Sequence, residues 1–184
     1  GRRGGAAEEL HLQAKPLLDA QRWSEALVLL EEAYGLKQSY DIATNYGAVL
    51  LALERPREAA QAFVTARKSA PSDLDDKRRA RLASYDEQAR AKIAVVRVEV
   101  PDRGATVRVD GVAVGTSPLA GEVFLDAGEH RFVAEKEGAR SAAVVRALGA
   151  GTSEVVALGG LGAGGDEDDE DGGGAETWVL AVGY

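Results

Sequence analysis

The sequence predicts an α-helical region followed by a β region, and three observations carry that prediction. The chain superposes on itself at an offset of 33 residues: Ala14 falls on Gly47, Leu17 on Leu50, Leu18 on Leu51, Arg22 on Arg55, Glu25 on Glu58, Ala26 on Ala59, Leu30 on Phe63 and Ala33 on Ala66. A fixed offset that matches small with small and large apolar with large apolar residues marks stacked structural repeats. At about Ala94 the apolar period changes from helical spacing to strict alternation. From Gly159 onward, glycine and carboxylates replace apolar residues.

The elements follow in order. Residues 6–20 carry Leu10, Ala14, Leu17 and Leu18 at helical spacing, and 24–36 carry Ala26, Leu30 and Ala33. The intervening Ala20–Ser24 stretch leaves room only for a tight turn, so the two helices lie antiparallel. Ala43, Tyr46, Gly47 and Leu50 repeat the pattern, followed by Ala59, Phe63 and Ala66. Pro56 stands at the start of the fourth helix, where a missing N–H costs nothing. A fifth helix opens with a capping box of Ser72 and Asp75 and lines one face with Leu82, Tyr85, Ala89 and Ile93. Such a helix closes a repeat array, apolar inward and polar outward.

In the β region Val96, Val98 and Val100 alternate with Arg97 and Glu99, and Val107 and Val109 lead into Asp110-Gly111, a favoured hairpin turn. Alternating runs recur at 122–126, 130–135, 142–148 and 153–158. Short strands at this density predict a small antiparallel β-sandwich.

Two resemblances refine the picture. The Ala14, Leu17 … Ala26, Leu30, Ala33 and Tyr46-Gly47, Leu50 … Ala59, Phe63, Ala66, Pro71 series resembles two tetratricopeptide (TPR) repeats. That resemblance implies that Ala14, Ala26, Gly47 and Ala59 sit where paired helices approach closest. The residues Pro101 … Gly104-Ala105, Val107, Val109-Asp110-Gly111, Gly115-Thr116-Ser117-Pro118, Leu125, Gly128, His130 and Gly138 resemble a PEGA domain, an envelope and surface module with no activity attached. The expected domains are therefore TPR-like hairpins with a capping helix at 6–93, a PEGA-like sandwich at 95–158, and a Gly/acidic linker at 159–176. The stretch 177–184 is either the first turns of a membrane helix that continues beyond Tyr184 or a short β-segment or sticky tail. Eight residues fall well short of the ~20 that cross a bilayer. With no methionine anywhere, Gly1 is not expected to be the translational start.

Composition narrows function. The net charge of -8 is concentrated in residues 161–184, which hold seven acidic residues and no basic one. Residues 1–93 are near balance, with 15 basic against 14 acidic. Residues 94–160 hold 7 basic against 9 acidic, so neither folded part has the basic excess that nucleic acid requires. Without cysteine there is no disulfide, thiolate nucleophile or thiolate metal site. Gly160–Gly165 fits G-x-G-x-x-G, yet the carboxylates from Asp166 to Asp171 would repel a pyrophosphate. Those carboxylates also fail the spacing of a calcium loop, because Asp171 stands where its glycine belongs and Thr177 where its bidentate Glu belongs. No strained nucleophile turn occurs. His130 is expected to hydrogen-bond within a turn, and the cluster Lys77, Arg78, Arg79 and Arg81 to form ion pairs within its own helix. No catalytic residue, cofactor or metal is expected.

The TPR resemblance implies that the exposed face of the first helix in each repeat lines a concave groove. Glu8, His11 and Lys15 in repeat one, and Asp41, Thr44, Asn45 and Ala48 in repeat two, are the candidate contacts for a protein partner or peptide. The expected function is a non-catalytic scaffold or adaptor of the bacterial cell envelope, periplasmic and membrane-anchored. The alternative is a structural subunit that assembles with copies of itself through sandwich edges; an enzyme or carbohydrate-binding module is the outside reading.

Overall fold

The structure is a computed structural model that describes residues 2–163. It contains five helices followed by a mixed β region, as the change of period at Ala94 predicts. The helices are α1 (Arg2–Asp19), α2 (Trp23–Leu36), α3 (Tyr40–Ala52), α4 (Pro56–Lys68) and α5 (Asp76–Arg90). The strands are β1 (Ala94–Glu99), β2 (Thr106–Val109), β3 (Val112–Thr116), β4 (Val123–Leu125), β5 (Gly128–Lys136), β6 (Ala139–Arg140), β7 (Val144–Leu148), β8 (Ser153–Ala157) and β9 (Gly162–Ala163).

The 33-residue offset is visible bond for bond in the two helical hairpins. Arg22 N–H donates to Leu17 O and Gln21 N–H to Leu18 O; at the offset, Arg55 N–H donates to Leu50 O and Glu54 N–H to Leu51 O. Gln21 and Glu54 both take the left-handed conformation, at φ 54° and 56°. These paired bonds form the motif that ends a helix by satisfying its last carbonyls. Arg22 and Arg55 then start the next helix, each forking its guanidinium onto the carboxylate three residues on, Glu25 and Glu58. Ala14, Ala26 and Ala59 are fully buried at the crossings. Gly47 lies against the Phe63 ring so closely that a methyl group there would overlap it.

The start of α5 differs from expectation. Asp75, not Ser72, is the cap, and its side chain accepts from Arg78 N–H at 2.8 Å. Leu74 is buried in the helical core, so the chain must turn inward before the helix begins.

The β region also departs from a purely antiparallel sandwich. One sheet has the order β4-β1-β8, and β1 pairs β4 antiparallel but β8 in parallel. The other runs β3-β2-β5-β6-β9 with β7 also on β5, all antiparallel. Alternation cannot distinguish the two directions, because both leave a period of two. The sheets bury Val96, Val98, Val107, Phe132, Ala134 and Val156 between them. The β region extends past residue 158: Leu161 packs on this core, and Gly162–Ala163 pair with Ala139–Arg140. Five residues of the expected linker thus belong to the folded unit. Its remainder, 164–176, and the apolar stretch 177–184 lie outside the described residues.

Helices and sheets share an interface. Along β1 and the residue before it, Ile93 and Val95 enter the helical core while Ala94 and Val96 enter the core of the β region. Phe124 packs on the helical core beneath the Arg90 guanidinium, 5.2 Å from the ring centre. Arg90 also donates to Glu122 at 2.8 Å, and Arg57 stands 3.4 Å from Asp126. Gly151, at φ 75°, donates its N–H to Ile93 O at 2.7 Å, and a Cβ there would press on the Ala91 carbonyl.

Candidate interaction groove

Helices α1, α3 and α5 present one side each to a groove of about 1170 Å3. Its lining includes Glu8, His11 and Lys15 from α1 and Asp41, Asn45 and Ala48 from α3, so six of the seven residues expected from sequence line one surface. On α3 the residues Asp41, Asn45, Ala48 and Ala52 follow one another at helical spacing, which makes a continuous stripe.

Thr44 is the exception and is a correction. It is fully buried, and its hydroxyl donates to Tyr40 O at 2.7 Å. α3 is packed between α2, α4 and α5, so only a narrow stripe of it stays accessible, and Thr44 falls one step outside that stripe. Bonding back to the preceding turn satisfies its hydroxyl without solvent.

His11 is only 5% exposed, and its Nε2 lies 2.8 Å from Asn45 Nδ2. The amide nitrogen donates, so Nε2 accepts and the ring is neutral with its proton on Nδ1. Burial holds the His11 pKa below its ordinary 6.5, and Lys15 adds to the effect against the opposing charges of Asp41 and Glu8. The contact ties α1 to α3 across the floor of the groove. His11 is therefore a positioning residue here more than a free polar contact.

The third side of the groove comes from the helix that closes the array, which the TPR resemblance does not place in a groove. Arg78, Arg81, Tyr85 and Gln88 of α5 line the groove, followed by Lys92. Their positions recur at i, i+3, i+7 and i+10, a single helical face, and that spacing was the available signal. Arg78 does not pair within its own helix; it crosses to Asp41 and lies over the Tyr40 ring, 4.9 Å from its centre. Asp41 in turn holds the Arg78 guanidinium above its ordinary value. Arg67 likewise bonds across helices to Asp86, and Arg90 to Asp86 is the pair that stays within α5. Lys15 and Arg81 form no ion pair with any described residue. Leu12, which is 59% exposed, Ala48 and Leu51 add apolar surface to this charged lining.

His130 lies far from this groove in the sheet region. Its Nδ1 is 2.7 Å from Asp110 Oδ2 and its Nε2 is 2.9 Å from Asp126 O. Both partners accept only, so full satisfaction requires both ring nitrogens to carry protons. Burial lowers its pKa, but the bonds to Asp110 and Asp126 outweigh that and hold it above 6.5. His130 thereby links the β2–β3 turn to the loop before β5.

Among the described residues, no group of three or more His, Asp or Glu side chains is placed to hold a metal, and no helix is long and apolar enough to cross a membrane. The sequence matches no protein-family model and no curated protein.

Proposed function

We propose that this chain is a non-catalytic adaptor of the bacterial cell envelope that holds a segment of a protein partner in the α1–α3–α5 groove. On this reading the sandwich is a spacer. The acidic linker sets the reach of the groove from a membrane tether. The resemblance to TPR repeats and to a PEGA domain supplies the compartment and the mode of binding.

One observation carries the reading. A groove spanning three helices combines the apolar Leu12, Ala48 and Leu51 with lining side chains of both charge signs. Apolar side chains of a bound segment gain by leaving water, while Lys15 and Arg81 offer donors that fix its register. His11 is engaged with Asn45 and stays neutral, so the groove's one imidazole is already committed to structure.

The test is photo-crosslinking in cells that make the protein, with a photoreactive residue at Ala48 or, as the control, at Val28. Val28 is 66% exposed on α2 and lies outside the groove. A discrete protein adduct is expected at Ala48 alone, and Arg81→Glu should reduce it severalfold. Equal labelling at both positions, or an adduct indifferent to Arg81→Glu, would refute the adaptor.

A further inference from the structure

We infer that β8 is a dimerisation edge, on which a second copy of this chain pairs antiparallel about a two-fold axis through Val155.

The backbone carries the inference. β8 pairs β1 in unbroken register from Val95↔Ser153 to Glu99↔Ala157. Val95 N–H donates to Thr152 O at one end of the ladder, and Leu158 N–H donates to Glu99 O at the other. A parallel ladder alternates, so it uses the groups of residues 152, 154, 156 and 158. The N–H and C=O groups of Ser153, Val155 and Ala157 therefore point away from β1, and no described part of the backbone bonds to them. A two-fold axis through Val155 matches this row to itself. Ser153 of one copy meets Ala157 of the other, Val155 meets Val155, and every outward donor faces an outward acceptor. Glu154 meets Val156, so no like charges are opposed. Val155 is 57% exposed and is covered by its counterpart.

The other edges lack these properties. β3 shifts register against β2 between Val107 and Arg108, and such irregularity is a common way to discourage edge pairing. β7 has Arg146 at its centre, which two-fold pairing would set against itself. β4 has three residues and β9 has two. β8 is regular, five residues long and unblunted.

The assembly would be a continuous sheet β4-β1-β8-β8-β1-β4. β8 starts near the end of α5, where Gly151 N–H donates to Ile93 O, and runs parallel to β1 away from the helices. Antiparallel pairing thus puts the two helical arrays at opposite ends, each with its groove free. A single five-residue strand pair is small for a protein interface, so the dimer is weak and concentration-dependent.

The sequence contains no cysteine, which gives a clean test on the full 184-residue chain. Directly opposed residues in a hydrogen-bonded antiparallel pair have Cα atoms about 5.5 Å apart, within disulfide range. Val155→Cys is expected to form a disulfide-linked dimer at least about tenfold faster than Val112→Cys, whose parent residue is 67% exposed on β3. Sedimentation equilibrium should show a monomer–dimer equilibrium that Val155→Lys weakens about tenfold or more, by opposing two ammonium groups. Circular dichroism checks that the variants keep their fold. A chain that stays monomeric to about 1 mM overturns the inference. So does cross-linking at 155 no faster than at 112, or a dimer unmoved by Val155→Lys.

Discussion

Gly47 and Phe63 show how one repeat differs from the other at a single crossing. Repeat one places Ala14 and Leu30 there, both fully buried, and repeat two places Gly47 and Phe63, so the larger ring occupies the space of the lost methyl. Gly47→Ala should therefore cost about 1–3 kcal/mol by overpacking. Adding Phe63→Leu to it rebuilds the repeat-one pair and should recover part of that loss, although Phe63→Leu alone destabilises by leaving a void. A double-mutant cycle in urea measures the coupling, and additive costs would contradict the compensation. The two histidines make opposite pH predictions. His11 has a folded pKa below 6.5, so its contribution is present above that value and is lost as pH falls below it. His130 has a folded pKa above 6.5, so its contribution is complete below 6.5 and is lost as pH rises through the folded value. Asp110 sets a further boundary: the Arg131 N–H and then His130 hold it below 3.8, and its contribution disappears in stronger acid. The destabilisation by His130→Ala should accordingly shrink from pH 5.5 to pH 9, and that by His11→Ala should shrink from pH 8 to pH 5. Urea titrations at both ends of each range check the signs.

At the scale of elements, helix order and period were legible because burial imposes them on side-chain spacing. Ala14, Ala26, Leu30, Ala33, Ala59, Phe63 and Ala66 are all fully buried, and the 33-residue offset reappears as identical turn bonds at Gln21–Arg22 and Glu54–Arg55. Strand direction was not legible. Val96 and Val98 alternate with Arg97 whichever way β8 runs, so the parallel β1–β8 pairing leaves no mark on composition. The extension to Gly162–Ala163 was hidden for a related reason: a two-residue strand of small residues reads as linker, and only Leu161 among its neighbours reports burial. In the groove, the α1 and α3 stripes followed from helical spacing. Thr44 misled because the border of a stripe depends on how closely the flanking helices approach, which is a tertiary property. Arg78 and Arg81 were read as partners of acids on their own helix, although Asp41 on α3 lay closer in space than in sequence.

For the whole molecule, the decisive question is whether helices and sheets unfold as one body. The alternation through Ile93, Ala94, Val95 and Val96 feeds the two cores in turn, so neither core can open fully without withdrawing residues from the junction. Phe124 is the side chain that best reports this coupling. It belongs to β4, packs on the helical core, and sits under Arg90, whose guanidinium is also held by Asp86 and Glu122. Truncating it removes apolar contact from the helical side while leaving the core of the β region, which includes Phe132 and Val107, in place. If the regions were independent, Phe124→Ala would leave the slowest-exchanging amides of α3 and α4 untouched and weaken only β1 and β4. The shared junction predicts a different result: native-state hydrogen exchange should show protection falling together in α3, α4, β1 and β8, by about 2 kcal/mol for a partly buried phenyl ring. The consequence for the proposed adaptor is mechanical. A cooperative junction holds the groove in a fixed orientation on the sheets, so a partner seated in it is positioned relative to the β8 edge as well as captured. Loss of protection confined to the strands would remove that fixed geometry and leave the groove on a hinge.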